Sequence, residues 1–190
     1  MTGEEFANQA LPAGQFGFRL NDAEVRVLSA YAESHTTITE SLQQSGYGTA
    51  MVVTNPLYSL SGLLADGQDV AVNLGLVRGE QVNEVAFRLI EHRQEQRPLF
   101  LLVHYMDVHE WQQWYFDKDY PGQDPGRRPG LLRASYARAV RDADKHLAAL
   151  LSRWRESVGM ENSLVVFYSD HGEHLLDPGS KLIGHGKSME

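Results

Sequence analysis

The chemistry-bearing residues of this 190-residue chain gather near its end. Leu164-Val165-Val166-Phe167-Tyr168 is a short apolar, β-branched and aromatic run, and it reads as a buried strand. It stops at Ser169-Asp170-His171-Gly172-Glu173, and Gly184-His185-Gly186-Lys187-Ser188 follows after a polar loop. In a parallel α/β sheet, ligands bind beyond the carboxyl ends of the strands, which is where such a run would deliver Asp170 and His171. A carboxylate and a neutral imidazole suit divalent metals. The plainer alternative is a turn, because Asp and Gly are common turn residues. A second His-Gly fourteen positions on, and a His-bearing strand end earlier in the chain, weigh against turn chemistry alone.

The elements that must position these groups follow from periodicity. Asn21-Asp22 is suited to cap a helix with Val25, Leu28, Tyr31 and Ala32 on one face, after a loop over residues 1–20. Thr37 and Glu40 have the spacing of a capping box for a short helix that Gly46 ends. Thr49 to Thr54 reads as a strand closed by Asn55-Pro56, and Val70 and Val72 mark a possible short strand. Glu80 to Arg93 is a helix, and Leu99 to His104 is a continuous apolar strand of the kind buried on both faces. Leu131 to Val158 is the longest helix, with an expected stripe through Leu132, Tyr136, Val140, Ala143, Leu147, Leu151, Trp154 and Val158. That stripe puts His146 on the surface. His104 reads as a hydrogen-bonded core histidine, and Asp107 as a residue that fixes the turn aiming His109. The order of strands and helices implies βαβ crossovers: an α/β fold with a mainly parallel sheet between helices.

Between them lies an aromatic-rich stretch with His109, Trp111, Trp114, Tyr115, Phe116 and Tyr120. It would serve either as a substrate-selecting rim or as packing that ties a loop to the domain.

Composition narrows the classes. A net charge of −8 argues against nucleic acid as a partner. The absence of cysteine rules out disulfides and thiolate metal sites in the chain. No run of eighteen apolar residues offers a membrane span, and the acidic start has no signal-peptide pattern.

Ser169-Asp170-His171-Gly172-Glu173 with His185-Gly186-Lys187-Ser188 resembles the closing part of the catalytic domain of sulfatases, within the wider alkaline-phosphatase superfamily. Phe100 to His109 resembles the middle motif of that family, where a strand ends in an Asp-Pro-His-like turn; here Val108 replaces the proline. The resemblance runs from about His35 to the end, so residues 1–190 are expected to be a single partial catalytic domain, with 1–34 a poorly patterned segment and 35–190 the core. The resemblance implies hydrolysis of sulfate esters, with Asp170 and His171 as metal ligands and His109, His185 and Lys187 around the transferred group. Glu173 and His174 either orient these groups or face solvent. The implied cofactor is a divalent metal, Ca²⁺ by default, with Zn²⁺ or Mn²⁺ suited to a phosphoryl branch. The implied partner is a small-molecule or glycan sulfate or phosphate ester.

Neither the Asp-Asp strand end nor the Cys/Ser-x-Pro/Ala-x-Arg nucleophile motif of the family occurs in these residues, so the expectation is an internal or truncated piece. Two other readings stay open. One is a phosphoester hydrolase or phosphoethanolamine-type transferase of the same superfamily; the other is a non-catalytic α/β module that binds a metal or partner.

Overall fold

The computed structural model describes residues 35–55 and 66–185. The helix expected after Asn21-Asp22, the loop over residues 1–20 and Lys187 lie outside the described residues. The chain divides between Met106 and Asp107 into two compact units.

The first unit is built on a parallel sheet. Helix α1 (Ile38–Gln44) opens with the expected capping box: Glu40 N donates to Thr37 Oγ1 at 3.0 Å, and Thr37 N donates to Glu40 Oε2 at 2.7 Å. Two of the helix's orphan amide donors and its first carboxylate are thereby satisfied together. Strand β1 (Gly48–Val53) follows, then β2 (Val70–Asn73), helix α2 (Gly79–Glu91) and β3 (Leu99–Val103). The order is β2-β1-β3, with β1 parallel to both neighbours. Ala50, Met51, Val52 and Val53 are buried to 4% exposure or less, because a central strand is covered on both edges and both faces. Val82, Ala86 and Ile90 of α2 share that core with no exposure.

Strand β3 differs from the expectation for a strand buried on both faces. Each of its five residues is only half-buried, as befits an edge strand with one neighbour among the described residues. His104 continues β3 as expected: its N donates to Val52 O at 2.9 Å, and its Nδ1 lies 3.3 Å from Thr54 Oγ1. Gly67 is required where it stands. Its φ is +75°, and a Cβ there would lie 2.5 Å from the Glu40 backbone nitrogen. A cleft of about 490 Å³ in this unit touches Thr49, Asp69, His92, Arg93 and Arg97 but none of the candidate site residues.

In the second unit, the aromatic-rich stretch is not all loop: after a turn at residues 107–110 it is helical. A π-helical turn (Gln112–Phe116) leads into a one-turn helix α3 (Asp117–Asp119), and a 3₁₀ turn (Pro125–Arg127) precedes helix α4 (Pro129–Ser157). Trp111, Tyr115 and Phe116 form a buried cluster with Leu132 and Ala139. These rings therefore pack the segment onto α4, and the rim reading fails for them.

The stripe of α4 is rotated from the expected one. Its buried residues are Leu132, Ser135, Ala139, His146 and Leu150, while Val140 is 42% exposed. Spacings of three, four and seven keep this set on one helix face. The apolar count misplaces the stripe because small and polar residues occupy the packed face. His146 is accordingly buried, with Nε2 3.6 Å from Oδ1 of the fully buried Asp107.

Leu164 to Tyr168 is also not a strand. It pairs with no strand among the described residues, and its side chains are 47–89% exposed. After it, β4 (His174–Leu175) and β5 (Ile183–Gly184) form a two-stranded antiparallel hairpin.

Candidate active site

The hairpin does the work that the expected strand was to do. Its register pairs His174 with Gly184 and Leu175 with Ile183. Continued one step outward, this register sets Glu173 opposite His185, where cross-strand side chains meet. Leu175, Leu176 and Ile183 anchor the hairpin on the aromatic cluster, and Arg133 Nη2 on α4 donates to Leu176 O at 2.8 Å. Gly184 has φ of +73°, so the chain turns at the last residue of β5 without a side chain beside Glu173.

Three of the predicted residues come together on this frame. The His185 ring centroid lies 4.5 Å from that of His171 and 4.9 Å from that of His109. Each of the three rings has its Nδ1 beside an oxygen acceptor. His185 Nδ1 lies 2.8 Å from Glu173 Oε1, His171 Nδ1 lies 2.8 Å from Gly172 O, and His109 Nδ1 lies 3.0 Å from Glu110 Oε1. A carbonyl or carboxylate accepts only from N–H, so the partners assign the proton of each ring to Nδ1. Each Nε2 is then the ring nitrogen outside that bond.

Asp170 stands beside the cluster. Its Oδ1 accepts from His171 N at 2.9 Å, and its Oδ2 lies 3.6 Å from His171 Nε2. Two neighbouring ligands of one cation at ordinary bond lengths sit about 3 to 3.6 Å apart. The Asp170 Oδ2–His171 Nε2 separation falls at the upper end of that range. The Asp170 side chain is 83% exposed and is oriented by its bond from His171 N.

Glu173 is the residue that sequence reasoning underweighted, since its neighbours suggested exposure as readily as a role. Its side chain is only 5% exposed, and Oε2 is buried with no hydrogen-bond partner among the described residues. Buried carboxylate oxygens normally have partners. The available signal was the twelve-residue separation from His185 across a loop that can close a hairpin. His174 beside it is exposed.

Charge follows the same geometry. The Nδ1 hydrogen bond to Glu110 raises His109 above the ordinary imidazole range against the opposing effect of burial, and the charges of Glu110, Glu173 and Asp170 add to the rise. Burial raises the Tyr136 phenol, and the Glu173 charge raises it further.

A hydrogen-bonded imidazole triad flanked by carboxylates can hold a divalent cation, donate to an ester oxygen and pass a proton. No helix among the described residues is long and apolar enough to cross a membrane. No curated protein and no solved structure matches the chain. The family model for Sulfatase matches residues 10–189. That span takes in both the sheet unit and the imidazole cluster, and the chain therefore belongs to the sulfatase family.

Proposed function

We propose that the second unit carries part of the active site of a metal-dependent hydrolase of sulfate esters. The observation behind this reading is the convergence of His109, His171 and His185, with ring centroids 4.9 and 4.5 Å apart and their Nδ1 atoms all engaged. Asp170 and His171 are the ligands this chain gives to a divalent cation, with Ca²⁺ as the default for the family. Bound there, the cation would polarise the ester and favour the charged form of the nucleophile.

His109 and His185 face the transferred group. His185, held by Glu173, presents Nε2 to the leaving oxygen and gives it a proton when protonated. His109 is biased toward its protonated form by Glu110, so it offers positive charge to the non-bridging oxygens. Lys187, two residues beyond His185, adds a point charge for the same oxygens. The substrate is a small-molecule or glycan sulfate ester.

The experiment is hydrolysis of an aryl sulfate and an aryl phosphate side by side, using the full encoded polypeptide and its His185→Ala and His109→Ala variants. The expected result is turnover of the sulfate ester, with a loss of about 10²-fold or more in each variant. Turnover of the phosphate ester alone would move the protein to the phosphoryl branch. Activity unchanged in both variants would refute the assignment.

A further inference from the structure

His171, Glu173 and His185 each offer a donor atom, and these atoms lie within 4.8 Å of one another. Two imidazoles and a carboxylate are a nitrogen-rich set, matched to zinc-class ions rather than to the all-oxygen shell that calcium takes. A second, independent observation is the state of Glu173. Its side chain is 95% buried by its 5% exposure, yet Oε2 has no hydrogen-bond partner among the described residues. A cation held by both oxygens of the Glu173 carboxylate would give Oε2 that partner.

We propose that His171, Glu173 and His185 form a seat for a zinc-class cation, distinct from the Asp170–His171 pair. This deepens the proposed function and shares His171 with it, but it does not require turnover. The Nδ1 of His171 is committed to Gly172 O, so only Nε2 is left for a metal; at His185 the atom beside Glu173 is Nδ1, 2.8 Å from Oε1, and a cation between them would displace the proton the two share. One imidazole nitrogen cannot serve both seats, and the two cations exclude each other. The seat also draws on His185, the proposed proton donor. A zinc-class ion in it would take the group that the hydrolase reading needs for its leaving oxygen.

The test is a Co²⁺ titration of the metal-stripped chain, followed by the d–d absorption of the bound ion and by competition with Zn²⁺ and Ca²⁺. The variants are His185→Ala, Glu173→Gln, Asp170→Asn and, as a control remote in sequence, His92→Ala. One Co²⁺ should bind per chain, Zn²⁺ should displace it, and millimolar Ca²⁺ should displace it much less effectively. His185→Ala and Glu173→Gln should weaken it at least tenfold, on the scale of losing a ligand or its support. His92→Ala should stay within about twofold of the parent, and Asp170→Asn, which touches the seat only through His171, should cost clearly less than His185→Ala.

The His185 side chain is 46% exposed, so its removal leaves the core filled and makes that variant decisive should Glu173→Gln perturb folding. Equal binding by His185→Ala and the parent would overturn the seat, as would absence of binding. An equal loss in Asp170→Asn would instead assign the ion to Asp170 and His171, leaving the hydrolase reading intact and this one refuted.

Discussion

Two runs of this chain are comparably apolar and have opposite fates. In β1, Ala50-Met51-Val52-Val53 is almost fully buried, with a parallel neighbour on each edge. Leu164-Val165-Val166-Phe167-Tyr168 is as apolar and as rich in β-formers, yet Leu164 is 89% and Phe167 77% exposed. The difference is the neighbour. A strand's amide and carbonyl groups need partners as much as its side chains need cover. Apolarity states that a segment wants cover and does not say what provides it.

Substitutions turn this comparison into measurements. Met51→Ala should lower stability by about 2–5 kcal/mol in urea unfolding, because it empties a packed site. An effect below about 0.5 kcal/mol would mean that β1 is no better covered than the exposed run. Thr37→Ala removes the capping bond of α1, which packs beside β1, and should cost about 1 kcal/mol in the same assay. Phe167→Ala should change stability by less than about 0.5 kcal/mol. A loss as large as that of Met51→Ala would show that the run is covered in solution and would erase the contrast.

The last and smallest contrast is in protonation. In metal-free protein, a ¹⁵N or ring-proton NMR titration should find His109 releasing its proton at higher pH than an unperturbed imidazole, and Glu110→Gln should lower that value. The sign follows from the raised folded-state value. The stabilising contribution is present in full below the unfolded value and is lost as pH rises through the folded one. A His109 titration unmoved by Glu110→Gln would contradict the Nδ1–Glu110 bond.

Much of the first unit was legible because its signals are local. Thr37 and Glu40 announce their capping box by spacing alone, and β1, α2 and β3 lie within a residue or two of where periodicity puts them. The second unit was legible in its chemistry and less so in its packing. Asp170, His171, His109 and His185 were identifiable as residue types at motif spacing, and the last three do converge. Periodicity misplaced the α4 face because Ser135, Ala139 and His146, not the larger apolar residues, lie against the core. It took His146 for a surface residue, since a buried imidazole depends on Asp107, thirty-nine positions earlier. Glu173 was underweighted for a related reason. Its burial depends on a hairpin register set by Leu175 and Ile183 against the aromatic cluster, and that pairing is not local to the motif.

The hairpin register is the central claim, because it brings Glu173 and His185 together beside His171 and His109. The chain has no cysteine, so a pair introduced as Glu173→Cys with His185→Cys reports on it directly. Opposed residues of an antiparallel pair lie within disulfide reach, whereas a one-residue offset puts the side chains on opposite faces. Under mild oxidation the Glu173→Cys/His185→Cys chain should lose both free thiols within the monomer, while Glu173→Cys/Gly184→Cys should keep them. The reverse result would place the register one residue away and would dissolve the cluster on which the functional reading stands.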